Sequence, residues 1–278
     1  MTGAPLFVPL RRPKRIWAVA AVHGAAARLR ALGRMVGERA AAGDALVFLG
    51  DVIGGPPGGE AREAGIDSGA ALDAALALRR QILALPGARA CDVAYLRGAQ
   101  EEMWSKLSEL QFAPAPRDIL RWMAHRGVAA TLETYGGADA LDEGARACRE
   151  GPMAIARWTS TLRQEVRARP GHADAMAAIR RAALTEDRKV LLVNHGLDAT
   201  RTLERQGDAF WWGGPAPFET ILQPYGPVRR VVRGRAAGHP GVVERPHTLT
   251  LDAGCGFGGP LLCGLLDGDG AVLDVLRA

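Results

Sequence analysis

The sequence predicts an α/β protein with a parallel sheet in its first half, on three observations. Short apolar runs alternate with Ala/Arg/Leu-rich stretches of helical character from residue 16 to residue 98. Several of these runs end on polar residues set beside glycine. The last third reads as strands separated by turn residues. An order of β-α-β-α-β argues for parallel strands joined by right-handed crossovers.

The run Ile16 to Val22 ends at His23-Gly24 and reads as a buried parallel strand. A helix follows, roughly Ala25 to Ala42. Asp44 to Leu49 is a second strand, stopped by Gly50-Asp51, and Gly54 to Gly59 is loop by composition. Ser68 to Leu85 reads as an amphipathic helix. Val93 to Leu96 is a third strand that runs into Gly98. The middle, about Glu102 to Glu186, reads as a helical insert with breaks near Gly127 and Gly136. Lys189 to Val193 is a fourth strand ending at Asn194-His195-Gly196. Four more strands are expected over Val228–Val232, Thr248–Leu251, Leu261–Leu266 and Ala271–Leu276, the last two joined by an Asp-Gly-Asp-Gly hairpin at Asp267 to Gly270. With no internal repeat and no long linker, residues 1–278 are read as one domain.

A chain of 278 residues with 48% hydrophobic and 23% charged residues has enough apolar material for a sizeable core. The net charge of +5 is mostly arginine, with lysine only at Lys14, Lys106 and Lys189. The basic residues are scattered and no aromatic-interleaved basic motif occurs, so no nucleic-acid partner is expected. The densest group, Arg11, Arg12, Lys14 and Arg15, reads as a solvated run leading into the first strand. Cys91, Cys148, Cys255 and Cys263 show no CxxC spacing, which fits a reducing cytoplasm. No stretch reaches the ~20 apolar residues of a bilayer span, and the N-terminus lacks a signal-peptide core with a cleavage site.

In sheets of this kind chemistry gathers at the carboxyl ends of the strands. Here those ends carry His23, Asp51, Arg97 and His195, and the adjacent glycines let the backbone turn sharply.

The series of motifs resembles the calcineurin-like metallophosphoesterases, in particular the branch of bacterial Ser/Thr protein phosphatases and diadenosine tetraphosphatases. That family reads GDxHG, GDxxDRG, GNHE, HAG, GH and DTG. This chain reads AAVHG at Ala20 to Gly24, LGDVIGG at Leu49 to Gly55 and LRGAQEE at Leu96 to Glu102. It continues with NHGLD at Asn194 to Asp198, RGRAA at Arg233 to Ala237 and LDAGCGFGG at Leu251 to Gly259. The stretch Trp122 to Gly136 is similar to that branch's tryptophan–glycine–threonine–leucine–tyrosine–glycine segment. The resemblance covers roughly residues 16 to 276.

What the resemblance implies is a four-layer α/β/β/α sandwich with the insert beside the strand ends. It also implies a two-metal site that activates a bridging water and clamps a phosphoryl group. Three ligand positions match: His23, Asp51 and His195. The others do not. The first aspartate is replaced by Ala21, the DRG pair by Gly54 and Gly55, the asparagine ligand by Ala99 and the general-acid histidine by Gln100. The final histidine falls on Arg235, or on His239 in an alternative register; the spacing to Asp252 favours Arg235. Alanine coordinates nothing, glutamine donates no proton as a general acid, and arginine brings a permanent cation to a cation's position.

The expected cofactor is therefore none, or one weakly held divalent metal (Mn, Mg or Zn), and an intact dinuclear centre is not expected. The leading reading is a pseudophosphatase that binds a protein partner or an anionic ligand. Its alternative is an active phosphoesterase with a mononuclear site on His23, Asp51 and His195. A third reading, a structural subunit that interacts through the helical middle, overlaps the first. Several residues keep two readings. His23 and His195 are metal ligands or hydrogen-bonded relics, and Asp51 needs a partner, Arg235 or His23. Arg97 and Arg235 are anion-binding residues, or Arg97 pairs with Glu101 or Glu102 and Arg235 turns to solvent. Trp211 and Trp212 are packing residues, or, if exposed, an interface.

Overall fold

The computed structural model describes residues 6–57, 65–214 and 216–278. In chain order the elements are β1 (Phe7–Leu10), β2 (Arg15–Val19), α1 (Ala26–Gly37), β3 (Asp44–Phe48), α2 (Ser68–Leu83), β4 (Val93–Tyr95), α3 (Ala99–Leu107), α4 (Pro116–Met123), α5 (Ala129–Gly136), α6 (Ala140–Glu150), α7 (Pro152–Ala168) and α8 (His172–Ala177). They continue with β5 (Ala182–Thr185), β6 (Val190–Val193), α9 (Ala209–Trp212), β7 (Arg230–Arg233), β8 (Gly241–Glu244), β9 (Thr248–Asp252), β10 (Leu262–Asp267) and β11 (Val272–Arg277).

The strands form two sheets. A five-stranded sheet has the order β11-β10-β2-β3-β4 and a six-stranded sheet the order β1-β5-β6-β7-β9-β8. The expected parallel unit is present: β2 pairs β3 and β3 pairs β4 in parallel. The hairpin β10–β11 then adds to the same sheet antiparallel, with Cys263 opposite Val19. Its turn is held by the Asp267 side chain, which accepts the N–H groups of Asp269 and Ala271.

The central strand Asp44–Phe48 is buried along its whole length, which is why it reads as an unbroken apolar run. Its one acid, Asp44, accepts both Arg15 Nε and Nη2, at 2.9 and 2.7 Å, and the indole N–H of the fully buried Trp17 at 2.9 Å. Of the basic run, Arg15 is thus tied down, while Arg11, Arg12 and Lys14 are exposed. On α1 the buried residues Leu29, Leu32 and Val36 recur at helical spacing and join the same core as β2, β3 and α2. The Asp67 carboxylate caps α2 by accepting Gly69 N–H and Ala70 N–H.

The two sheets face each other. A β-carbon on Gly264 of β10 would stand 2.9 Å from Leu251 Cδ1 of β9, so the sheets approach closely there. A second core, with Leu120, Leu132, Trp158 and Leu162, lies within the helical insert. A third covers the outer face of the six-stranded sheet, where Phe210, Trp211 and Phe218 pack on Leu191, Val193 and Val231. That outer layer has one short helix, α9, and single helical turns, so it is thinner than the α1–α2 layer.

Three strands were not anticipated: β1, β5 and β8. The insert was expected to be helical to Glu186, but Ala182–Thr185 is a strand between β1 and β6. Helix α1 ends at Gly37, five residues earlier than expected. Of the loop expected at Gly54 to Gly59, Gly58 and Gly59 lie outside the described residues.

Candidate active site at the facing strand ends

The carboxyl ends of β2 and β3 in one sheet meet those of β6, β7 and β9 in the other. Gly234 makes this meeting possible, because a β-carbon there would stand 2.5 Å from Leu49 Cβ and 3.3 Å from Ala20 Cα. Two cross-sheet hydrogen bonds fasten the ends: Ala21 N–H to Gly234 O at 3.0 Å, and Asn194 Nδ2 to Leu49 O at 2.9 Å.

Three site residues carry an unusual backbone. His23 has φ 48°, Asp51 φ 52° and His239 φ 48°, in the left-handed region that non-glycine residues seldom occupy. Backbone strain of this kind collects at functional sites. The His23 N–H donates to Asp51 O at 2.8 Å, so these two strained turns are bonded to each other.

The Asp51 side chain is fully buried. Its Oδ1 accepts the N–H of Gln100, in the first turn of α3, at 2.8 Å, where the helix N-terminus favours negative charge. Its Oδ2 accepts Asn194 Nδ2 at 3.1 Å. Arg235 Nε stands 3.7 Å from the same oxygen, too long for a hydrogen bond but close enough for an ion pair. Arg235 thus turns toward Asp51, with 23% of its side chain exposed. Below them Glu101 staples the site. Its Oε2 accepts Asp51 N–H and Gly98 N–H, and its Oε1 accepts Val52 N–H and, at 3.3 Å, Ile53 N–H. Burial and the neighbouring Asp51 carboxylate push the Glu101 pKa up, to about 7, against these four donors.

The His23 and His195 imidazoles are neutral near pH 7. Burial, opposed by the Asp51 carboxylate and reinforced by Arg235, lowers His23 to about 4. Burial, then Arg235 and Arg233, lowers His195 to about 4. Among the described residues, neither ring nitrogen of His23, nor Nδ1 of His195, nor Oδ1 of Asn194 has a hydrogen-bond partner. His23 is instead packed edge-on to Phe257 at 5.3 Å, and Phe257 lies against His239 at 4.4 Å. His239 Nδ1 is 3.0 Å from both oxygens of Asp252. Burial pushes the Asp252 carboxyl up, but the His239 contact and the N–H groups of Ala236 and Gly254 outweigh it, so its pKa is lowered.

The replaced positions also have structural occupants. Gln100 sends its amide to Arg126 O at 2.7 Å, and its side chain fills the space that a side chain at Gly54 would need. The Gly54 N–H donates to the hydroxyls of Ser68 and Thr131, at 2.9 and 3.1 Å. A β-carbon on Gly55 would lie 3.2 Å from Ala130 Cβ. The insert therefore sits on the two glycines that stand where the resemblance implies an Asp-Arg pair. Ala99 is buried at the start of α3.

Arg97 is directed elsewhere. Its Nη1 donates to Glu102 at 2.7 Å and its guanidinium lies 5.7 Å over the Trp211 ring. Of its two expected acidic partners it takes Glu102, because Glu101 is engaged by backbone N–H groups. Trp211 is buried packing, as expected, but Trp212 is 40% exposed and faces the 44% exposed Trp122 of α4 at 6.1 Å. A groove of about 470 Å³ opens beside His195, walled by Trp212, Gly213, Glu219 and Arg233. Arg233 is ion-paired with Glu219 and hydrogen-bonded to Thr250.

Sequence reading gave Asn194 no role, took Glu101 only as a partner for Arg97, and named His239 only as an alternative final histidine without pairing it to Asp252. Asn194 stands at the strand end one residue before His195. Glu101 follows Gly98 by three residues, the spacing of a capping box. Both were legible signals. The contact of His239 with Asp252 had no local signature.

No protein-family model matches the chain, and no curated protein matches it by sequence. Solved structures do match. One is the crystal structure of a candidate diadenosine tetraphosphatase, with 17% identity, 96% of each chain covered and a TM-score of 0.53. Another is a protein serine/threonine phosphatase from Saccharomyces cerevisiae, with 13% identity, 99% of this chain and 84% of that chain covered, and a TM-score of 0.50. The fold is that of the metallophosphoesterases. At these identities the likeness concerns architecture: two facing sheets with helices outside.

The metallophosphoesterase fold raises the question of metal. His23, Asp51 and His195 come together at the strand ends. Among the described residues, however, no group of three or more His, Cys, Asp or Glu side chains has its donor atoms arranged to hold a metal ion. The residues as they stand do not fit one, since the Arg235 guanidinium lies against the central carboxylate.

Proposed function

We propose that this chain is a pseudophosphatase of metallophosphoesterase fold, its metal-dependent hydrolysis lost or severely weakened, acting by binding a protein partner or an anionic ligand. The observation that supports this reading most is Arg235 beside Asp51, Nε to Oδ2 at 3.7 Å. A guanidinium keeps its charge at every working pH and repels a second cation. Ala21 and Ala99 offer no donor, and the Gln100 amide is committed to Arg126 O. No group remains at that position to protonate a leaving alkoxide, a role worth roughly 10²–10⁴ in rate.

The test is metal content by elemental analysis of the purified protein, with turnover of p-nitrophenyl phosphate, a phosphopeptide and a dinucleoside polyphosphate in Mn²⁺, Mg²⁺ or Zn²⁺. Little or no turnover is expected. Robust metal-dependent turnover that Asp51→Asn abolishes would defeat the reading.

A second reading, an active phosphoesterase with one metal on His23, Asp51 and His195, has one observation in its favour. The ring nitrogens of His23 and Nδ1 of His195 are buried without partners among the described residues, an expensive arrangement for polar atoms. Stoichiometric metal in the purified protein, lost in His23→Ala, would promote it.

A further inference from the structure

A second cavity, of about 210 Å³, lies behind the Asp51 loop, between that loop, α3, α7 and the end of α8. Its lining is graded. Ile53, Glu101 and Leu162 are buried, Trp104 and Met176 are half-buried, and Arg163 is exposed. The inner wall is therefore mostly apolar and the mouth carries positive charge. Of the two guanidiniums there, Arg97 is already paired with Glu102. Arg163 has no carboxylate partner among the described residues, so its charge is available at the rim. Ser105 and Ser108 add hydroxyls from α3.

We infer that this cavity is a binding site for an aromatic carboxylate, a single ring carrying a short acid side chain. Size and charge together select this class. An apolar cavity of ~150 Å³ accommodates a benzene ring, so about 210 Å³ admits the ring and a short chain. Trp104 and Met176 offer ring-edge and thioether contacts to an aromatic body. Arg163 matches a carboxylate with two parallel N–H donors. A phosphate ester suits the cavity less, because its larger charge would meet the Glu101 carboxylate of the inner wall while Arg97 is already committed to Glu102.

The site is joined to the Asp51 loop through Ile53 and Glu101. The Ile53 side chain is cavity wall, while its N–H and those of Val52 and Asp51 are held by Glu101. A ligand seated against Ile53 tightens this staple.

The experiment is titration of the full chain with 3-phenylpropanoate, read by calorimetry and by amide hydrogen exchange. Saturable binding with Kd of about 1 mM or tighter is expected, with slower exchange at Val52 and Ile53. 3-Phenylpropanol, the uncharged counterpart, and the surface variant Arg163→Gln should each weaken binding about tenfold or more, the loss of one charge-assisted contact. Met176→Trp, which fills the cavity, should abolish binding, and the thermal transition of each variant reports that it is folded. Absence of saturable binding overturns the site. Equal affinity for acid and alcohol, or indifference to both variants, overturns it as well. Binding with no change in exchange at Val52 and Ile53 overturns the link to the Asp51 loop.

Discussion

At the scale of single residues, the site is governed by one buried carboxylate and the groups that answer its charge. Asp51 is satisfied by the Gln100 N–H and the Asn194 amide, and Arg235 supplies the countercharge. Removing one partner of a buried pair strands the other. Arg235 is partly exposed and 3.7 Å away, so screening reduces the effect. Arg235→Ala is expected to lower stability by about 1–2 kcal/mol in urea unfolding. Adding Asp51→Asn removes the uncompensated charge but sets an amide N–H against the Gln100 N–H or the Asn194 amide, so only part of that loss should be recovered. An unchanged urea midpoint in Arg235→Ala would show that the guanidinium contributes nothing at Asp51. The two arginines expected to bind an anion both face carboxylates, Arg235 that of Asp51 and Arg97 that of Glu102, with Arg97 also over Trp211.

At the scale of elements, the strand ends are locked by two contacts that local sequence patterns do not display. One is Glu101, whose two oxygens gather the loops after β3 and β4 through four N–H groups. In Glu101→Gln one side of the staple becomes a donor facing donors. A loss of about 2–4 kcal/mol is expected from denaturant midpoints. The other is the kink in the insert between α4 and α5, where Gly127 has φ 110° and a β-carbon would collide with Gly55 O and press on Gln100 Nε2. Gly127→Ala should lower the thermal midpoint and open the insert to limited proteolysis, by backbone strain of roughly 1–3 kcal/mol plus the clash. If proteolysis of the variant matches the parent, the insert does not depend on this close approach.

At the scale of the whole molecule, stability should depend on pH through the buried imidazoles. His23 and His195 have folded pKa values of about 4, against 6.5 for a free imidazole. Between these values the unfolded chain binds protons that the native chain refuses, so stability rises with pH. The contribution is fully present above about 6.5 and is lost as pH falls toward 4, on the order of 3 kcal/mol for His23. Glu101 acts in the opposite sense, because its folded pKa is raised and its term shrinks as pH climbs through about 7. The difference between parent and His23→Asn isolates the histidine term. That difference should shift in favour of the variant on acidification, and a difference independent of pH would mean that His23 is not buried as a neutral ring.

The sequence by itself determined the strand–helix alternation of the first half, the positions of the eight expected strands to within two or three residues, and which strand ends carry His23, Asp51 and His195. Those features follow from local rules: apolar runs of strand length, glycine at sharp turns, and polar residues just beyond them. The tertiary structure decided the rest. β1 and β5 are short and make sense only as partners of one another and of β6, since a pairing between residue 7 and residue 182 leaves no trace in either segment. The direction of Arg235 and the choice of Glu102 by Arg97 likewise depended on which charges the fold brought within reach. The two motif glycines, Gly54 and Gly55, show the difference most plainly. Read along the chain they are a lost pair of site residues; in the folded protein they are the space that Gln100 and the helical insert occupy. Close packing between elements distant in sequence is set by the sum of many contacts, and no single stretch of chain carries that sum.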